Sequence, residues 1–115
     1  MTGISDPVGE VPVDPSRVDF ESAEWLATAP GARHKFVERG GKRIRLVEFA
    51  DTFVERDWCP GGHVGYLLQG ELEIAFEGRT ERFRPGEGFI IRGGVEKHRA
   101  RALTPVARML LIEDV

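Results

Sequence analysis

From Lys35 onward the chain alternates apolar and polar positions with a period of two, the rhythm of half-buried strands rather than of helices. Arg43-Ile44-Arg45-Leu46-Val47-Glu48-Phe49 reads as one strand, although the adjacent Leu46 and Val47 blur its alternation. After Gly62, His63 to Gln69 reads as a second, and Gly70 breaks it. Glu71 to Phe76 alternates cleanly and places Leu72, Ile74 and Phe76 on one face. Glu77-Gly78 is a hairpin turn, and Arg79 to Arg84 is the returning strand, with opposite charges facing across a solvated pair. Pro85-Gly86 turns again before the short apolar strand Phe89-Ile90-Ile91, and Gly93-Gly94 turns once more. Arg99 to Leu103 and Val106 to Ile112 complete the set, split by Thr104-Pro105. Eight or so short strands, spaced by about 8–12 residues and without a long helix, predict an antiparallel sandwich or barrel.

The N-terminal part follows a different pattern. Pro7, Pro12 and Pro15, interleaved with Asp6, Asp14 and Asp19, read as an irregular arm. Glu21 to Ala29 reads as one or two helical turns, with Ser22 as cap and Trp25 and Leu26 as anchors, ended by Pro30-Gly31. The expected organisation is thus an arm over residues 1–34 and one barrel domain over 35–115. A chain of 115 residues supports a single domain, and its 14 glycines suit a turn-rich one.

Charge and cysteine usage narrow the function. With 16 basic against 19 acidic residues the net charge is −3, which argues against a general nucleic-acid or membrane-surface binder. The one cysteine, Cys59, excludes an intramolecular disulfide and suits a reducing compartment. The opening MTGISDPVGE lacks the basic and apolar regions of a signal peptide, and no apolar stretch reaches bilayer length. A soluble, cytoplasmic protein is expected.

Two linked motifs resemble the cupin family in its small single-domain, conserved-barrel form (cupin 2). The first is His63, six residues, then Gly70 and Glu71-Leu72-Glu73-Ile74; the second is Pro85-Gly86-Glu87-Gly88-Phe89-Ile90-Ile91, the turn Gly93-Gly94, and His98. The resemblance covers about residues 40–113 and implies an all-β double-stranded β-helix, the cupin jelly-roll barrel. It also implies a metal site. The family pattern supplies a His-x-His pair, a glutamate and a later histidine, and the matching positions here hold Asp57, Cys59, His63 and His98. The usual proline of the second motif is Arg92, and the turn to His98 is one residue longer than common.

Carboxylate, thiolate and imidazole all ligate divalent transition metals, and this set favours zinc, with nickel, cobalt or iron as alternatives. Asp57 and Cys59 are two apart and would share a face if the segment is extended. The bland alternative is a buried apolar cysteine, two hydrogen-bonded barrel histidines and a solvated aspartate. His34, in the polar stretch Ala32-Arg33-His34-Lys35, reads as a surface residue. A Cys59–histidine nucleophile pair lacks any hydrolase signature around it, and neither Gly-Gly pair has the lysine and helix of a phosphate loop. By parity Arg99 and Arg101 face away from His98, whereas Ala100 and Ala102 share its side, as Gly65 and Leu67 share that of His63.

The resemblance therefore implies a metal-dependent pocket that binds a small organic molecule and acts on it as an oxygenase, isomerase or lyase. The alternative is a non-catalytic binding or sensing module, favoured by the lack of an obvious general base unless Glu48 or Glu55 lies close. A thiolate ligand is exposed to oxidation and weakens the oxygenase version. A homodimer is expected, with Phe20, Trp25 and Leu26 placed on a partner or on the chain's own barrel.

Overall fold

The computed structural model describes residues 16–115, and the period-two pattern is realised there as nine strands, all paired antiparallel. They are β1 (Leu26–Ala29), β2 (Ala32–Arg39), β3 (Lys42–Ala50), β4 (His63–Gln69), β5 (Leu72–Phe76), β6 (Arg79–Phe83), β7 (Gly88–Ile91), β8 (His98–Ala102) and β9 (Val106–Asp114). One sheet runs β1-β2-β3-β9-β4-β7 and the other β6-β5-β8. This is the all-β jelly-roll barrel expected from the sequence. Among the described residues, no helix is long and apolar enough to cross a membrane.

The alternation explains which face each strand buries. In β5, Leu72, Ile74 and Phe76 point into the core, with Glu73 and Ala75 between them. In β9, Ala107, Met109 and Leu111 point inward, and in β4 Gly65 and Leu67 do so while Val64, Tyr66 and Leu68 are exposed. Leu67, Leu72, Ile74 and Met109 are fully buried and join the two sheets. Gly65 has a packing reason: a Cβ there would sit 2.2 Å from the Phe89 ring, which fills that space.

The N-terminal part differs from expectation. Residues 1–15, with Pro7, Pro12 and Pro15, lie outside the described residues. The helical turns expected over 21–29 reduce to a 3₁₀ turn at Phe20–Ser22, capped by Asp19 rather than Ser22. Leu26–Ala29 instead folds back on β2 through the Pro30-Gly31 turn, where Gly31 takes φ +83°. Strand pairing overrides a weak local helix preference here, and the sheet begins at Leu26, ahead of Lys35. Trp25 does act as an anchor on its own barrel: Arg33 lies 4.1 Å over its ring. Beneath it Glu48, directly across from Arg33 on β2 and Arg108 on β9, accepts from both guanidiniums and is buried between them.

Candidate metal centre

A cavity of about 300 Å³ opens between the sheets, and its wall holds Cys59, His63 and His98. His63 is the first residue of β4 and His98 the first of β8. Cys59 belongs to the connection between β3 and β4, which is laid along β8 by reciprocal backbone bonds: the Cys59 N–H donates to the His98 carbonyl (2.8 Å) and the His98 N–H to the Cys59 carbonyl (3.1 Å). Arg99 on the outer side of β8 covers Trp58 (4.2 Å) and holds the Arg56 carbonyl (3.1 Å), fixing the same connection from outside. The two glycine turns touch: a Cβ on Gly62 would stand 2.7 Å from the Gly93 nitrogen. Only a residue without a side chain lets His63 enter β4 so close to the turn that leads to His98.

The three donor atoms lie within 4.8 Å of one another. Cys59 Sγ and His63 Nε2 are 3.9 Å apart, near the span of about 3.6 Å that a tetrahedral ion with ordinary Zn–S and Zn–N lengths sets between two ligands. The imidazoles of His63 and His98 meet edge to face at 5.0 Å. His98 Nδ1 is buried and has no hydrogen-bond partner. A buried polar atom left so is costly unless something absent from the protein chain fills it. Burial, and then the neighbouring His63, hold the His98 imidazole down to a pKa of about 4; burial lowers that of His63 as well. Both rings are thereby kept neutral, the form that ligates metal. The donor set, its protonation and the orphan nitrogen all fit a divalent transition metal.

Asp57 stands apart. It is exposed, at a bend in the chain, and is not among the converging donors. Residues two apart share a face only on extended backbone, and the bend breaks that relation with Cys59.

Four residues enter the site that were not expected to be there, or only as a distant option. Glu113 accepts from His63 Nδ1 at 2.6 Å. It also accepts from Arg45, through Nε (3.0 Å) and Nη2 (2.6 Å). Burial alone would raise the Glu113 pKa, but the bonds and charge of Arg45, with His63, bring it below the ordinary value. A carboxylate can only accept, so His63 carries its proton on Nδ1 and presents the Nε2 lone pair toward Cys59. His34 lines the cavity rather than the surface, its Nδ1 3.2 Å from Arg45 Nη1. It lies in phase with buried Ala32, opposite Val47 of β3, a parity hidden by its polar neighbours. Glu55 also borders the cavity; its Oε1 accepts the Ala100 N–H at 2.9 Å, and burial pushes its pKa up. Glu48, the other candidate base, is occupied by Arg33 and Arg108 outside the cavity.

No protein-family model and no curated protein matches the chain at a significant level. Solved structures do resemble it. KdgF from Halomonas sp. superposes with a TM-score of 0.70 at 25% identity, over 80% of this chain and 87% of that one. An RmlC-like cupin from Shewanella frigidimarina gives 0.71 at 14% identity, over 86% and 89%. A sugar phosphate isomerase of the cupin superfamily from Silicibacter pomeroyi gives 0.69 at 13%, over 84% and 73%.

Proposed function

This chain is a small cupin domain, and from that premise we propose that its cavity holds a divalent transition metal on Cys59, His63 and His98. Beside the metal it binds a small organic molecule on which it moves a proton, as an isomerase or lyase does. The observation that carries this reading is the convergence of Cys59, His63 and His98 donors on the cavity wall, beside which His98 Nδ1 is buried without a partner. One thiolate with two imidazoles suits zinc best, and nickel, cobalt or iron could take the same donors. When bound, such an ion supplies Lewis-acid polarisation of a substrate oxygen.

The rest falls to the chain's own residues. Glu113 holds His63 in the tautomer that ligates. Glu55, fixed by the Ala100 N–H and with burial favouring its protonated form, gives a proton to the bound molecule and takes one back from it. Val47, Phe49 and Met109 form apolar walls that exclude water. That a cupin of similar fold is described as a sugar phosphate isomerase supports the reaction class.

Elemental analysis of the purified protein tests the reading. Stoichiometric transition metal, lost in His98→Ala and retained in Glu55→Gln, is the expected result; metal-free protein that takes up no zinc on dialysis overturns it. Oxygen uptake after iron loading would return the oxygenase version. Tight ligand binding without turnover, unchanged in Glu55→Gln, would favour the sensing module.

The homodimer is proposed on the outer face of the larger sheet, where Val37, Ile44, Ile112, Val64 and Ile90 follow one another across five strands. Ile90 is 77% exposed, and such a row can pair with its own copy about a two-fold axis. Sedimentation of the wild type as a monomer at all concentrations would remove this proposal. The cytoplasmic location remains proposed from the single cysteine.

A further inference from the structure

We propose that Arg45 and His34 form a receptor for the carboxylate of a small, largely apolar organic acid, which makes such a monoanion the ligand class of the cavity. This rests on the reading of the cavity as the ligand site and adds to it what the ligand must carry.

A guanidinium has five N–H donors and no acceptor. Arg45 directs Nε and Nη2 to Glu113 and Nη1 to His34 Nδ1. His34 Nδ1 must then be the acceptor, so its ring is neutral and carries its proton on Nε2. Burial and the nearby charges of Arg45 and Arg43 favour the same neutral ring. One ion pair, Arg45–Glu113, thus sets two histidines in opposite tautomers. His63 presents a lone pair on Nε2, while His34 keeps an N–H there. Arg45 and His34 both line the cavity, whereas Glu113 does not. The positive end of the ion pair therefore borders the cavity and the negative end lies behind it, with two guanidinium N–H groups left over after the Glu113 and His34 bonds among the described residues.

Charge leads to the same ligand. Two neutral imidazoles and one thiolate leave a divalent ion with a formal +1, and Glu113 is already taken up by Arg45. Among the described residues the only other carboxyl lining the cavity is Glu55, whose charged form burial disfavours. A monoanionic ligand balances the site. A phosphate monoester carries about −1.5 to −2 at neutral pH, more than one guanidinium and a neutral imidazole answer. The walls of Phe49, Phe53 and Phe89 suit an apolar body on the acid.

The test uses phenylacetate, its neutral isostere phenylacetamide, and benzyl phosphate, titrated calorimetrically into the full chain with zinc and after chelation. Phenylacetate should bind at least tenfold more tightly than the amide in both states, and should shift the His34 Nε2–H in long-range ¹H–¹⁵N spectra of the wild type. His34→Phe should lower phenylacetate affinity about tenfold and leave the amide unchanged. His34→Gln, which still accepts from Arg45 and offers an N–H, should restore it. Equal binding of acid and amide, preference for the phosphate, or a His34 protonated on Nδ1 in the wild type overturns the proposal. Failure of the metal reading shows differently, as zinc that is not retained while the acid-over-amide preference persists in chelated protein.

Discussion

Replacing Glu113 by glutamine probes how the candidate centre is organised, because the change removes one charge and leaves shape almost intact. In the wild type the carboxylate accepts three bonds, two from Arg45 and one from His63 at 2.6 Å. A glutamine has one oxygen and one NH₂. If the oxygen keeps Arg45, the NH₂ faces His63 Nδ1 and forces it to become an acceptor. The proton then moves to Nε2 and removes the lone pair aimed at Cys59. If the oxygen keeps His63, Arg45 donates toward another donor and loses its counter-charge. Outer-shell partners of this kind are worth about 10–100-fold in metal affinity, or about 1.4–2.7 kcal/mol. Zinc affinity of Glu113→Gln, measured by competition with a chromophoric chelator, should fall within that range. Long-range ¹H–¹⁵N spectra of the metal-free wild type should show His63 protonated on Nδ1, and the variant should show a mixed or reversed tautomer. A folded variant that binds zinc as tightly as wild type, with His63 unchanged, would refute the reasoning.

The same arrangement yields further expectations. His98→Leu should abolish zinc binding yet raise the unfolding free energy of metal-free protein by about 1–3 kcal/mol, since it removes a buried unsatisfied nitrogen; lower stability in urea melts would count against that orphan. Glu48→Gln should cost about 1–2 kcal/mol at neutral pH. That is less than the 3–5 of a fully buried pair, because the Arg33 and Arg108 side chains are 47% and 38% exposed. Burial would raise the Glu48 pKa, but the two arginines hold it below its ordinary 4.5. Its contribution is therefore complete above about pH 4.5 and fades as pH falls through the folded value, so the acid limb of urea stability should flatten in the variant. Gly62→Ala should destabilise by about 1–3 kcal/mol through the 2.7 Å approach to Gly93 and weaken zinc binding with it; unaltered thermal melting would argue against the close contact.

Most of the fold was legible because its strands bury one face, and period two survives even the blurred Leu46-Val47 stretch. Leu26–Ala29 was not, since four residues carry little pattern and only pairing with β2 makes them a strand. Cys59, His63 and His98 were expected from the resemblance, through their places about the turn glycines, and their side chains converge. Asp57 was grouped with them by its place in the family pattern, which sets it beside Cys59 only on an extended backbone that the chain does not keep. The second layer of the site was hidden differently. Glu113 continues the inward phase of Ala107, Met109 and Leu111, one residue beyond the expected strand end at Ile112, and Arg45 that of Val47 and Phe49. Their charge suggested solvent instead. What resolves the conflict is the order β3-β9-β4, which sets Glu113 between Arg45 and His63, 68 and 50 residues away along the chain. Nothing local announces that adjacency.

The departures from the family pattern compensate one another in charge. Three histidines and a glutamate bring one negative charge to an ion; Cys59 with His63 and His98 also brings one, with one donor fewer. The proposed centre thus keeps the electrostatics of the common site while leaving an additional position for a ligand oxygen. The carboxylate has not vanished: Glu113 stands behind His63 instead of beside the ion, neutralised by Arg45. Exchanging a hard oxygen donor for a soft sulfur shifts preference toward zinc and away from oxygen-activating iron. A Cys59→Asp variant, with charge kept and softness lost, should therefore retain a divalent ion but lose selectivity for zinc over manganese in competitive dialysis. Unchanged selectivity would mean that the sulfur is not a ligand.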